Sequence, residues 1–134
     1  MEDLFKLVRV QIIIVGLYFV CKLMRVQFLY TDSPELLKTF LLSFPNFCEG
    51  VVGVLILTAI GLYLNQKTKF NNPTIYITAT ILASIYVITQ EFKIHDLGGR
   101  NIYDPNDVVF SIIGLLVGLG IVFKISPEIK RNAT

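Results

Sequence analysis

The chain has 134 residues, of which 54% are hydrophobic and only 16% are charged. Soluble domains carry roughly 25% charged residues, and small ones bury the smallest share of their surface, so a soluble fold could not hide this much apolar surface. The formal net charge of +2, without a basic stripe along the sequence, argues against a nucleic-acid partner. We therefore expect an integral membrane protein, whose apolar side chains face lipid.

The first predicted membrane span covers about residues 7–30. Its basic start and apolar run resemble a signal peptide, but Lys22 and Arg25 stand where a small-residue cleavage site would have to be. We therefore expect an uncleaved first helix. The next segment, about residues 33–42, begins with Pro34 and has its apolar residues on one side. This pattern predicts a short amphipathic helix that lies in the membrane interface.

Three more spans are predicted at about residues 45–64, 73–92 and 107–125, each close to the roughly 20 residues that a bilayer requires. The run Asp104-Pro105-Asn106-Asp107 is a helix-start signal for the last of them. The predicted fold class is therefore all-α: a single transmembrane domain, residues 1–134, forming a four-helix membrane bundle with the interfacial helix between helices one and two. Of the 12 Lys and Arg residues, seven fall on the side of the termini and five on the other, which favours cytoplasmic termini.

Polar residues gather at the helix ends that share one side of this topology. Together with an arginine of the third loop, they are Arg25, Asn46, Glu49, Gln90, Glu91, Arg100, Asn106 and Asp107. One interpretation is that they are ordinary interfacial residues, which cap helix ends and pair with each other. The other is that they form a polar pocket in one leaflet. In either case, carboxylates partly removed from water need cations, so we expect at least one to contact Arg25 or Arg100.

Small residues continue the acidic face of the fourth span. Asp107, Ser111, Gly114 and Gly118 recur at helical spacing, and two glycines four residues apart allow helix backbones to approach closely. The spacing predicts a helix-packing contact at Gly114 and Gly118. Because flat small-residue faces seek such contacts in lipid, we also expect them to mediate self-association or binding of a partner membrane subunit.

No cofactor and no metal site is predicted. Cys21 and Cys48 lie in apolar segments, and His95 is the single histidine, so the sequence has no zinc-binding pattern. Clustered carboxylates are suitable ligands for a divalent cation, although neighbouring basic side chains would compete with it. Whether the protein is an enzyme is left open by these residues.

The C-terminal half carries an ordered set of motif residues: Gln90-Glu91, Arg100, Asp104-x-x-Asp107, Gly114 and Gly118. Over about residues 45–120 this order resembles the VanZ-like family of small bacterial membrane proteins. Three features depart from that family. Gln-Glu replaces the common Glu-x-x-Gln, and Phe110 and Ser111 stand where an Asn usually follows the Asp by one turn. Between the first helices, Phe44-Pro45-Asn46-Phe47 stands where the family has a charged motif. The resemblance implies a multi-pass protein of the bacterial inner (cytoplasmic) membrane, in a family of which one branch is linked to glycopeptide-antibiotic resistance.

Two functions are compatible with these observations. The first is a non-enzymatic envelope protein that binds a lipid headgroup or a partner membrane subunit through the polar cluster. The alternative is a membrane-surface enzyme that acts on an amphipathic lipid or cell-wall precursor with Glu49, Glu91 and Asp107 as acids. A small transporter is disfavoured because the spans show neither internal repeats nor mid-membrane breaks.

Overall fold

The computed structural model describes residues 2–66, 70–92 and 104–128. These residues form four helices: α1 (Glu2–Phe28), α2 (Glu35–Leu64), α3 (Asn72–Glu91) and α4 (Pro105–Ile125). Each helix is long and apolar enough to cross a membrane, and the described ranges contain no strand. The predicted all-α, four-helix, multi-pass architecture is confirmed.

Helix α2 lies at the centre of the bundle and packs against the other three helices. Its buried residues Val51, Val54 and Leu55 form the middle of the core, joined by Leu115 and Val122 of α4. Helix α1 packs mainly against α2 and only slightly against α4, and in the described part of the chain it does not pack against α3. Most of the α1 surface is therefore left for lipid.

Helix α2 differs from the prediction, because no break separates the expected interfacial helix from the second span. The helix runs for 30 residues and includes Pro45, so it is about 45 Å long against a hydrocarbon core of about 30 Å. Proline has no N–H and so leaves the carbonyl four residues earlier without its helical donor. That carbonyl belongs to Leu41, and the buried Cys21 thiol of α1 donates to it, with Sγ and O 3.7 Å apart. A neighbouring helix thus replaces the missing donor, and α2 continues.

Helices α2 and α4 run parallel and approach each other through glycine. A methyl group on Gly50 would lie 2.8 Å from the Ser111 carbonyl oxygen, and one on Gly114 would overlap the Phe47 carbonyl oxygen. One on Gly118 would lie 3.0 Å from the Val54 Cβ. The predicted packing stripe is therefore occupied by α2 of the same chain, and any partner or second copy would have to bind elsewhere.

Side chains fix the two ends of α4. As the start signal predicts, Asp104 is the N-cap and its carboxylate accepts from the Asn106 backbone N–H at 2.9 Å. At the other end Ser126 takes a left-handed conformation with φ 45°. The following Pro127 is buried, and its carbonyl accepts a 2.8 Å hydrogen bond from the Tyr76 hydroxyl of α3. This bond ties the end of α4 to the start of α3.

Candidate functional site

The register of α2 against α3 brings Glu49 close to the end of α3. Gly53 lies opposite Ala83, and Gly61 lies opposite Ile75, so the two helices are antiparallel and Glu49 is level with Val87. Since one turn is 5.4 Å, Glu49 lies about one turn deeper in the membrane than Glu91. The predicted convergence of these two acids therefore has a simple geometric origin.

Three carboxylates from three helices form what we call the acidic cluster: Glu49 of α2, Glu91 of α3 and Asp107 of α4. Glu91 lies within electrostatic range of the other two, and also of the α4 cap, Asp104. All three cluster residues are half-buried. Like charges repel each other more strongly when they are partly removed from water, so the cluster favours a cation.

Two polar atoms, one within the acidic cluster and one next to it, are buried without a hydrogen-bond partner among the described residues. They are the Asp107 Oδ1 and the Ser111 Oγ, and Ser111 is only 1% exposed. The Ser111 hydroxyl lies near the Glu91 carboxylate but is not close or aligned enough to form a hydrogen bond with it. Since native proteins satisfy most of their buried polar atoms, each such atom requires an explanation.

In the described residues, the cation that acts on the acidic cluster is Lys22 rather than Arg25. Lys22 lies within electrostatic range of Glu49, and its Nζ is 5.5 Å from the centre of the Tyr18 ring. Within the described ranges Arg25 makes no ion pair with a carboxylate, and the salt bridge found there, Lys6 to Asp3 at 2.7 Å, lies at the other end of α1. Arg100 lies outside the described residues, so its contact with the cluster stays a prediction.

The three predicted amides contribute less. Asn46 is half-buried on α2, whereas Gln90 and Asn106 are exposed, and Asn106 supplies its backbone N–H to the Asp104 cap. Sequence reasoning did not assign Ser111 to the site, although this residue lies on the small-residue stripe and at the position where the resembled family has an Asn. Its burial against α2 depends on packing that the sequence does not display.

Glu49 also faces a groove between α1 and α2. The groove measures about 270 Å³ and is lined by Val15, Tyr18, Phe19, Cys48, Glu49 and Val52. Glu49 is the charged residue of this lining, and the remaining side chains are apolar or aromatic. The groove follows α1 and α2 from Glu49 toward the middle of the membrane, because Val15 and Val52 each lie about one turn deeper.

A second groove, of about 450 Å³, lies between α2 and α3 toward the opposite membrane face. Its lining includes Leu57, Gly61, Leu82 and Phe70, with no charged side chain among the described residues. At the end of this groove, the Asn65 side-chain amide makes two hydrogen bonds with the Phe70 backbone. Its nitrogen donates to the Phe70 carbonyl at 2.9 Å, and its oxygen accepts from the Phe70 N–H at 3.1 Å. The described lining of this groove therefore carries no charge that would select a charged ligand.

The acidic cluster does not have the geometry of a metal centre. In the ranges that the structure describes, no group of three Asp, Glu, His or Cys side chains converges closely enough to hold an ion. Comparison with known proteins gives no match to a family model, to a curated protein or to a solved structure. The chemistry of the cluster itself is therefore the basis for assigning a function.

Proposed function

We propose that this chain is a multi-pass protein of the bacterial cytoplasmic membrane, with both termini in the cytoplasm, that binds the amine-bearing headgroup of a membrane amphiphile. The binding site is the acidic cluster of Glu49, Glu91 and Asp107, with Ser111 beside it. The VanZ-like order of residues in the C-terminal half supports a place in the bacterial envelope. The four apolar helices support the membrane location.

The unpartnered Asp107 Oδ1 and Ser111 Oγ are the observation that carries this proposal. Leaving a buried acceptor unsatisfied costs about 1–3 kcal/mol, which a ligand with suitable donors would recover. A primary ammonium group has three N–H donors and no acceptor. It can therefore supply hydrogen bonds to these oxygens and neutralise the carboxylates at once, which a neutral or anionic headgroup cannot do.

Binding fits the site better than catalysis. An enzymatic nucleophile needs a base within hydrogen-bond reach, and the Ser111 hydroxyl makes no such bond to Glu91 or to any other described group. A partner subunit that inserts a lysine or arginine would satisfy the same oxygens. We favour a lipid headgroup because Glu49 faces a groove that is open to the bilayer.

The proposal is tested by native mass spectrometry of the purified protein with added phosphatidylethanolamine. Asp107→Asn and Glu91→Gln remove one charge each from the cluster, and Glu2→Gln, at the opposite end of α1, is the matched control. Loss of a charge-assisted hydrogen bond, worth about 1.5–3 kcal/mol, should weaken binding about 10- to 100-fold.

Glu2→Gln should bind as the unmodified chain does. Unchanged phosphatidylethanolamine binding by Asp107→Asn and Glu91→Gln would contradict the proposal. So would a stoichiometric protein subunit that replaces the lipid and dissociates in the same variants, since the cation would then come from that subunit.

A further inference from the structure

Glu49, the member of the acidic cluster on α2, is open to the side, toward the lipid bilayer. On α2, Cys48 and Val52 face α1, and Gly53 faces α3. At 100° per residue, the helical phase places Glu49 between these two directions and away from α4. Because the described parts of α1 and α3 do not pack against each other, Glu49 lies at the gap between them.

The gap continues into a groove whose apolar lining suits an acyl chain. Val15, Phe19 and Val52 line the groove between α1 and α2, and Val15 and Val52 lie deeper in the membrane than Glu49. An amphiphile whose charged end is at Glu49 would therefore place its chain along these residues, pointing toward the bilayer centre. This is the orientation that every lipid of that leaflet already has, so little reorientation is needed.

The charges around the gap have opposite signs at different depths. Lys22 lies about one turn nearer the membrane surface than Tyr18, which is level with Glu49 and lines the groove. The Lys22 ammonium group is above the Tyr18 ring and within electrostatic range of Glu49. A headgroup with both an amine and a phosphate would find a partner for each charge here, the amine on Glu49 and a phosphate oxygen on Lys22.

We infer that the ligand is an aminophospholipid, which reaches Glu49 sideways from the bilayer through the gap between α1 and α3 and places one acyl chain in the groove between α1 and α2. This inference rests on the proposed function and adds the ligand class, the route and the second anchor, Lys22. It distinguishes a bilayer lipid from a water-soluble amine, which would need neither the groove nor the gap.

The test compares phosphatidylethanolamine with glycerophosphoethanolamine, which has the same headgroup and no acyl chain, on the full chain in detergent. Val52→Trp fills the groove from α2, and Val15→Trp fills it from α1, where the side chain is 38% exposed and the larger residue can be accommodated. Leu116→Trp, on α4, where the side chain is 62% exposed and outside the groove lining, is the matched control. Unchanged thermal unfolding of each variant shows that its fold is intact.

We expect Val52→Trp and Val15→Trp to weaken phosphatidylethanolamine binding at least about tenfold. We expect no loss in Leu116→Trp and no loss of glycerophosphoethanolamine binding. Lys22→Gln should weaken binding of both compounds, since both carry the phosphate. Phosphatidylethanolamine binding that survives both tryptophans overturns the inference while leaving the headgroup proposal intact. Binding that also survives Asp107→Asn overturns the proposed function itself.

Discussion

The hydrogen bond from Cys21 to the Leu41 carbonyl should be what allows Pro45 to lie within α2. Cys21→Val removes the donor and leaves a buried carbonyl for which the proline supplies no N–H. A net hydrogen bond contributes about 1 kcal/mol, and an orphaned buried carbonyl costs about 1–3 kcal/mol. Because both residues are buried within the protein, with Leu41 4% and Cys21 6% exposed, we expect Cys21→Val to lower the free energy of unfolding by about 2 kcal/mol.

A double-mutant cycle with Pro45→Ala isolates this effect. Alanine at position 45 restores a backbone N–H for the Leu41 carbonyl, so Cys21→Val should then cost about 1 kcal/mol less than it does beside the proline. Cys21→Ser keeps a donor and should be close to neutral. Cys48→Val is the control, since Cys48 is equally buried but makes no hydrogen bond within the described residues. The measurement is reversible unfolding of the purified protein in mixed detergent micelles.

Equal losses from Cys21→Val in the proline and alanine backgrounds would refute this reasoning. They would mean that the thiol contributes packing alone and that Pro45 is tolerated for another reason. A loss in Cys48→Val as large as that in Cys21→Val would point to the same conclusion, because it would reflect the added methyl groups and not the missing donor.

Three further results are expected. Gly114→Ala should destabilise the protein by about 1–3 kcal/mol, because its methyl group would meet the α2 backbone. Gly120→Ala, on the open side of the same helix, should be neutral or slightly stabilising in the same unfolding assay. Tyr76→Phe should lower the unfolding free energy by about 1 kcal/mol through loss of its buried bond to the end of α4. A membrane-impermeant thiol reagent added to intact cells should label Leu97→Cys and leave Thr68→Cys unlabelled. Equal labelling of the two variants would contradict the proposed topology.

The elements with strong local signals could be predicted from the sequence. Helix α4 begins as expected at Asp104-Pro105, because the cap and the first-turn proline act within a few residues of chain. The break expected before Pro45 was wrong because proline usually marks a helix start. The donor that lets the helix continue belongs to Cys21 on another helix, and no local pattern reports it.

The depth of the candidate site was predictable, but its orientation was not. Spans of bilayer length bring Glu49, Glu91 and Asp107 to similar depths whatever their neighbours are. Which cation approaches the cluster depends on helix rotation and packing order. In the described residues these place Lys22 within electrostatic range of Glu49, whereas Arg25 or Arg100 was expected and Arg100 lies outside the described residues. The glycine stripe was predicted as a contact surface, but its partner, the parallel helix α2, becomes evident only from the fold.

Asp107 and Ser111 lie on the same face of α4 as Gly114 and Gly118, the glycines that contact α2. A Cβ atom on Gly50 would lie 2.8 Å from the Ser111 backbone carbonyl oxygen, so the α2 backbone lies directly against the turn of α4 in which Ser111 is only 1% exposed. Charges that stay exposed gain little from a partner, typically below about 1 kcal/mol, whereas desolvated ones gain considerably more. In the function that we propose, this close packing beside Ser111 would make an amine ligand more favourable than the same carboxylates would make it on an open surface. The small residues would then contribute to the proposed binding through desolvation, without contacting the ligand.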